Sequence, residues 1–198
     1  MASTNKQIFL ELLRAGLWEQ EVRLSKFEDL EFSKVYNLAE QQAVTGLIAA
    51  GLDHLVDVKV PQEIILTFVG STLQIEQRNM AMNTFLANLI EKLRQEDIYA
   101  LLVKGQGIAQ CYERPLWRVS GDIDLLLSDE NYKKAKKYLT PLSTGQKPEC
   151  NYSKELGLYF GGWSVELHGT LRTGLSSKVD KVIEAVQNDA LYRENMRF

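Results

Sequence analysis

Asp122 and Asp124 stand either side of a single apolar residue, Ile123, and run directly into Leu125-Leu126-Leu127. Along a strand, side chains alternate between faces, so residues two apart point the same way. The two carboxylates would then share one face, with Ile123 and Leu125 on the other. Paired carboxylates repel each other unless a cation lies between them, and Mg²⁺, a hard ion that prefers oxygen ligands, suits such a pair. Asp is also a poor strand former, so two of them in a strand need a reason. The leucine run predicts a buried strand. The competing reading is an exposed edge strand with two solvated aspartates.

Two further stretches carry residues able to join that chemistry. Ile98–Val103 reads as a buried strand, Lys104-Gly105-Gln106-Gly107 as a turn, and Ile108–Tyr112 as the start of a short helix. A strand, a glycine turn and a helix start present backbone N–H groups to an anion, and Lys104 adds a positive charge there. Leu156–Phe160 and Trp163–His168 read as a hairpin closed by Gly161-Gly162. In the returning strand Val165 and Leu167 share one face, and Glu166 and His168 the other. Asp122, Asp124 and Glu166 can be set on neighbouring strands, where they would hold one or two Mg²⁺ ions (or Mn²⁺). Those ions would bridge nucleotide phosphates, and Glu166 could also accept the proton of an attacking hydroxyl. His168 either contacts substrate beside Glu166 or is a packed histidine. Arg118, behind the Ser120-Gly121 turn, either pairs with an aspartate or holds a phosphate.

The elements that must position these residues fall into two halves. Apolar residues at helical spacing predict an amphipathic helix over 5–25 and a second over about 31–55, with Gly51 as a break near its end. A long helix is predicted from Pro61 to Gln95, with a kink or break at Gly70-Ser71. No chemistry is visible in this half. Past Asp97 come the strands above. A helix follows from Ser128-Asp129-Glu130, its lysines a solvated face, and residues 140–151 read as a loop. A last helix begins near Ser176, with Val179, Val182, Ile183, Val186 and Leu191 as its apolar positions. The fold class is therefore α+β, with a helical region over 1–96 and a core of strands and helices over 97–198.

Composition narrows the function classes. Of 198 residues, 45% are hydrophobic and 25% charged, which disfavours disorder, and the net charge of −3 suggests neither a general nucleic-acid binder nor a membrane-surface protein. Cys111 and Cys150 read as two reduced thiols, since a disulfide or a zinc site would need more Cys or His at ligand spacing than these two cysteines and two histidines. No apolar run is long enough to span a membrane, and the first six residues lack the apolar core of a signal peptide, so the expected compartment is the cytoplasm.

Lys104-Gly105, Tyr112, Pro115, Arg118, Gly121-Asp122-Ile123-Asp124-Leu125-Leu126 and Val165-Glu166-Leu167-His168 together resemble the uncharacterised nucleotidyltransferase family of the polymerase-β-like superfamily. That resemblance implies a polymerase-β-like core, a small mixed sheet flanked by helices, and Mg²⁺-dependent transfer of a nucleoside monophosphate from an NTP, with ATP favoured, to an unknown hydroxyl-type acceptor. It implies Asp122, Asp124 and Glu166 as metal ligands, and Lys104, Gly105, Gln106, Gly107, Arg118 and Gly121 around the nucleotide. The superfamily's turn usually carries Gly or Ser where Gln106 stands. That difference favours the alternative of a catalytically weak or inactive nucleotide-binding or interaction module with the same fold. A third reading is a structural helical adaptor with solvated aspartates.

Overall fold

The computed structural model describes residues 4–150, 152–172 and 174–192. The chain divides into two compact units, one of Met1–Met82 with Ala109–Ser120 and one of Asn83–Ile108 with Gly121–Phe198.

The first unit is helical. Helix α1 spans Thr4–Trp18, α2 Phe32–Gln41 and α3 Thr45–Asp53, and the unit also takes the first part of α4, Gln62–Gln95. Ile8, Leu12, Leu24, Phe32, Val35, Ile48 and Phe68 form its core. The predicted 31–55 helix is two helices, because the chain turns at 42–44, where Ala43 takes a left-handed φ of 54°. Gly51 does not break α3. It is a contact point with α1, where a Cβ at Gly16 would lie 1.8 Å from the Leu47 carbonyl oxygen and one at Gly51 would lie 2.1 Å from that of Leu12. Only glycine lets two helix backbones come so close. Helix α4 passes Gly70-Ser71 without interruption, and Ser71 Oγ bonds the Tyr36 hydroxyl at 2.8 Å. Arg114 is held by Glu19 and Asp53 and lies over the Trp117 ring. Asn79 of α4 donates to the Leu116 and Arg118 carbonyls, both at 2.7 Å, which fixes the 109–120 segment.

The second unit is built on a mixed five-stranded sheet. Strands β1 (Ala100–Val103), β2 (Ile123–Leu127), β3 (Gly145–Gln146), β4 (Glu155–Phe160) and β5 (Trp163–His168) lie in the order β1-β2-β5-β4-β3. Strands β2 and β5 are parallel, and the other neighbours are antiparallel. Helix α5 (Gly105–Ala109) follows β1, α6 (Asp129–Leu139) follows β2, and α7 (Ser177–Tyr192) closes the described chain. Ile123, Leu125, Leu127, Val165 and Leu167 are buried. The N-cap hydroxyl of Ser128 accepts from the Asn131 N–H and starts α6, which packs on β2 and β5. Three of its four lysines are tied to acids, Lys133 to Asp129, Lys134 to Glu130 and Lys136 to Glu149. Phe85 of α4 stacks on Trp163 and lies tilted against Phe160 at the tip of the β4–β5 hairpin, where Gly161 takes a φ of 61°.

Three local expectations differ from this architecture. The predicted 140–151 loop contains a 3₁₀ turn, Thr140–Leu142, and the short strand β3, while Asn151 lies outside the described residues. Residues 105–107 are already helical, so the predicted turn is the first turn of α5. In α7 Val179, Val182 and Val186 are exposed, and Asp180 and Gln187 are buried instead. Gln187 explains part of this: its Oε1 accepts from the Leu171 N–H at 3.0 Å and its Nε2 donates to the Gly169 carbonyl, which pins the chain just after β5. No helix among the described residues is long and apolar enough to cross a membrane.

Candidate active site

Strand register sets the site. Val103 pairs with Asp124 across β1–β2, Asp124 with Glu166 across β2–β5, Leu126 with His168, and Gly157 with Glu166 across β4–β5. Registered neighbours in a sheet point their side chains to the same face, so Asp124, Glu166 and His168 emerge together. Ligand atoms of these three residues lie within 4.8 Å of one another, and all three residues are buried. Asp122 precedes β2, is half-buried, and is outside that group of three.

Hydrogen bonds hold the cluster in place. Asp124 Oδ1 accepts from Lys104 Nζ at 2.7 Å and from His168 Nε2 at 2.8 Å. Because an ionised carboxylate only accepts, Nε2 carries the proton in that bond. Both donors address the same oxygen, and no described residue donates to Oδ2. Glu166 Oε1 accepts from Lys147 Nζ at 2.8 Å, and Oε2 lies 3.9 Å from His168 Nε2. Burial alone would push the Asp124 carboxyl up, but the bonds from His168 and Lys104 outweigh it and hold the group below its ordinary range. Burial likewise pulls Lys104 down, and the Asp124 bond with the charges of Asp124, Glu166 and Asp122 raises it above an ordinary lysine. Lys147 is raised by its Glu166 bond, with Asp122 adding a smaller electrostatic contribution. Asp122 therefore belongs to the field of the cluster although it is not bonded into it.

The predicted nucleotide residues are spread over both units. Lys104, Gly105, Gln106, Gly107 and Gly121 belong to the second unit, Arg118 to the first. Lys104 takes a left-handed φ of 52° directly after β1, and its carbonyl accepts from the Ile108 N–H at 2.8 Å. A Cβ at Gly105 would lie 3.2 Å from the Asp122 carbonyl oxygen and one at Gly107 3.0 Å from that of Leu102. These glycines let α5 lie close against the ends of β1 and β2. Gln106 is buried, with its Nε2 donating to Asn83 Oδ1 at 3.0 Å. Gly121 is exposed, with open space where a side chain would go. Arg118 Nη1 donates to the Val119 carbonyl and Ser120 Oγ, and the guanidinium lies 6.0 Å from the centre of the Tyr112 ring.

Lys147 is the cluster residue that the sequence reading did not single out. It follows β3, a strand too short to show an alternation. The one available signal was Gly157, a glycine inside the Leu156–Phe160 strand, which marks a close approach by something else. His168 was singled out as a substrate contact or a packed histidine, and not as a partner of Asp124.

A small mixed sheet whose adjacent parallel strands each carry a buried carboxylate, with lysines beside them, is suited to phosphoryl-group chemistry. The sequence model of the uncharacterised nucleotidyltransferase family matches residues 28–192, and the chain belongs to that family. No curated protein and no solved structure matches it. Membership makes a nucleotide the substrate class, in line with the resemblance drawn from the Asp122–Leu126 and Val165–His168 motifs.

Proposed function

We propose that the protein is a divalent-metal-dependent nucleotidyltransferase that moves a nucleoside monophosphate from an NTP, ATP favoured, to a hydroxyl-type acceptor. The observation that carries this reading is the convergence of Asp124, Glu166 and His168 on one face of β2 and β5. Its donor chemistry fits Mg²⁺ or Mn²⁺: two buried carboxylates, each with an oxygen not taken by a lysine, and Asp122 close enough to act on the same lysines. Asp122, Asp124 and Glu166 would hold the metal. Bound there, it would neutralise charge on the transferred phosphoryl group and the leaving pyrophosphate.

The chain's own residues do the rest. Asp124 stays ionised well below neutral pH, so it serves as a ligand and not as a proton acceptor. His168 fixes the Asp124 carboxylate by donating to Oδ1, which leaves Oδ2 without a donor among the described residues. Glu166, with Oε2 free of Lys147, accepts the proton of the acceptor hydroxyl. Lys104, the first turn of α5 over Gly105, Gln106 and Gly107, and Gly121 surround the nucleotide. In that role Gln106 acts through its backbone, since its side chain is turned to Asn83.

Crystals grown with Mn²⁺ and a non-hydrolysable ATP analogue test the assignment. The expected result is anomalous Mn²⁺ density bound to Asp124 and Glu166, with the phosphates toward Gly105. Mn²⁺ bound elsewhere, or phosphates away from the cluster, overturns it.

A further inference from the structure

We propose that Lys147, together with Lys104, is a triphosphate-binding residue that occupies the carboxylate cluster while no divalent cation is bound and passes to the nucleotide phosphates when one is. This rests on the metal-dependent reading above.

Each buried carboxylate has its own lysine, Lys104 on Asp124 and Lys147 on Glu166. The carboxylate side chains are 3% and 12% exposed, the lysine side chains 55% and 48%. The ammonium groups therefore reach in from solvent over acids that the sheet holds fixed. Long flexible stems make such groups movable where the carboxylates are not. The path of Lys147 is shaped by the fold. Its N–H donates to the Gly157 carbonyl at 2.8 Å, and its stem lies across the sheet where a Cβ at Gly157 would come within 2.8 Å of Lys147 Cδ. Gly157 is the β4 partner of Glu166 in register, so the missing side chain opens a channel leading to that carboxylate.

Charge gives the direction of the exchange. Asp124, Glu166 and Asp122 act electrostatically on Lys104, and Glu166 and Asp122 on Lys147. A dication among the carboxylates takes over their neutralisation and repels both ammonium groups. The triphosphate arriving with the metal then offers the nearest unpaired negative charge, and a lysine is a common point-charge partner for phosphate.

Lys147→Met keeps the stem and removes the charge on a half-exposed side chain. Two probes independent of the base separate the outcomes: Mn²⁺ alone, followed by electron paramagnetic resonance, and magnesium tripolyphosphate, followed by calorimetry. The variant should bind Mn²⁺ alone at least about threefold more tightly, because a competing cation is gone, and tripolyphosphate about tenfold more weakly. Gly157→Ala, which crowds the Lys147 stem, should move tripolyphosphate affinity the same way by less. Tighter Mn²⁺ with unchanged tripolyphosphate reduces Lys147 to a charge partner and overturns the proposal. Weaker Mn²⁺ makes it a support for the acids and overturns it too. If the parent protein binds neither probe, the metal-dependent reading itself fails, a result distinct from either of those.

Discussion

Asp124→Asn separates a metal ligand from a structural carboxylate, because the two roles change different measurements. Asparagine keeps an oxygen that can accept from His168 Nε2, so the buried imidazole at 4% exposure retains its partner. Lys104, whose side chain is 55% exposed, turns to water. The Asp124 carboxyl is held below its ordinary range, so its ionised form is favoured in the folded state and losing it destabilises. With one charge-assisted bond lost and the lysine half solvated, the unliganded protein should lose about 1–2 kcal/mol. The liganded difference is larger. At a concentration about a hundredfold above Kd, a ligand that binds only the folded state adds about 2.7 kcal/mol. For a chain of this size that is a rise in melting temperature of about 5–10 °C with MgATP over EDTA. Differential scanning fluorimetry of parent and variant, each with MgATP and with EDTA, reads both quantities. The parent should gain that rise and the variant less than about a third of it. A variant that gains as much from MgATP as the parent refutes the assignment of Asp124 to the metal, whatever happens to the unliganded protein.

Two further outcomes test the first unit. Gly16→Ala sets a methyl 1.8 Å from the Leu47 carbonyl oxygen, so α1 and α3 must separate; a loss of about 2–3 kcal/mol by calorimetry is expected, and an unchanged melting temperature would mean the helices do not meet there. Asp57 is lowered from 3.8 to about 2 by its hydrogen bond with the Ser25 side chain and by the backbone N–H groups of Leu24 and Ser25, which it accepts at 2.9 Å. A depressed folded-state value means the folded protein binds fewer protons than the unfolded chain, so its contribution is complete above about pH 4 and lost as the pH falls toward about 2. Chemical unfolding at several pH values should therefore show the gap between parent and Asp57→Asn closing over that window, and a gap independent of pH contradicts the account.

The legible parts of the chain were those whose pattern is local. Asp-Ile-Asp followed by three leucines, the Gly161-Gly162 hairpin and the Ser128 cap each declare an element within a few residues, because strand alternation, turn geometry and capping act over that distance. Amphipathic spacing likewise marked α1 and α4. Those patterns place carboxylates on strands, and they carry the resemblance that the family match on residues 28–192 bears out.

What tertiary structure decided was adjacency. Nothing in the chain between residues 124 and 168 states that β2 and β5 run side by side in parallel. That pairing alone sets Glu166 against Asp124 and brings His168 onto the same oxygen as Lys104. Gly51 read as a helix break because glycine is a weak helix former, yet the force acting on it is the backbone of α1. Gln187 and Asp180 are buried in α7 against its apolar pattern, with Gln187 bonded to the chain just past β5, beyond the reach of helical periodicity. Lys147 needed both conditions at once. The strand it follows has two residues, too few for any period, and its channel exists only because a glycine on β4 falls in register with Glu166.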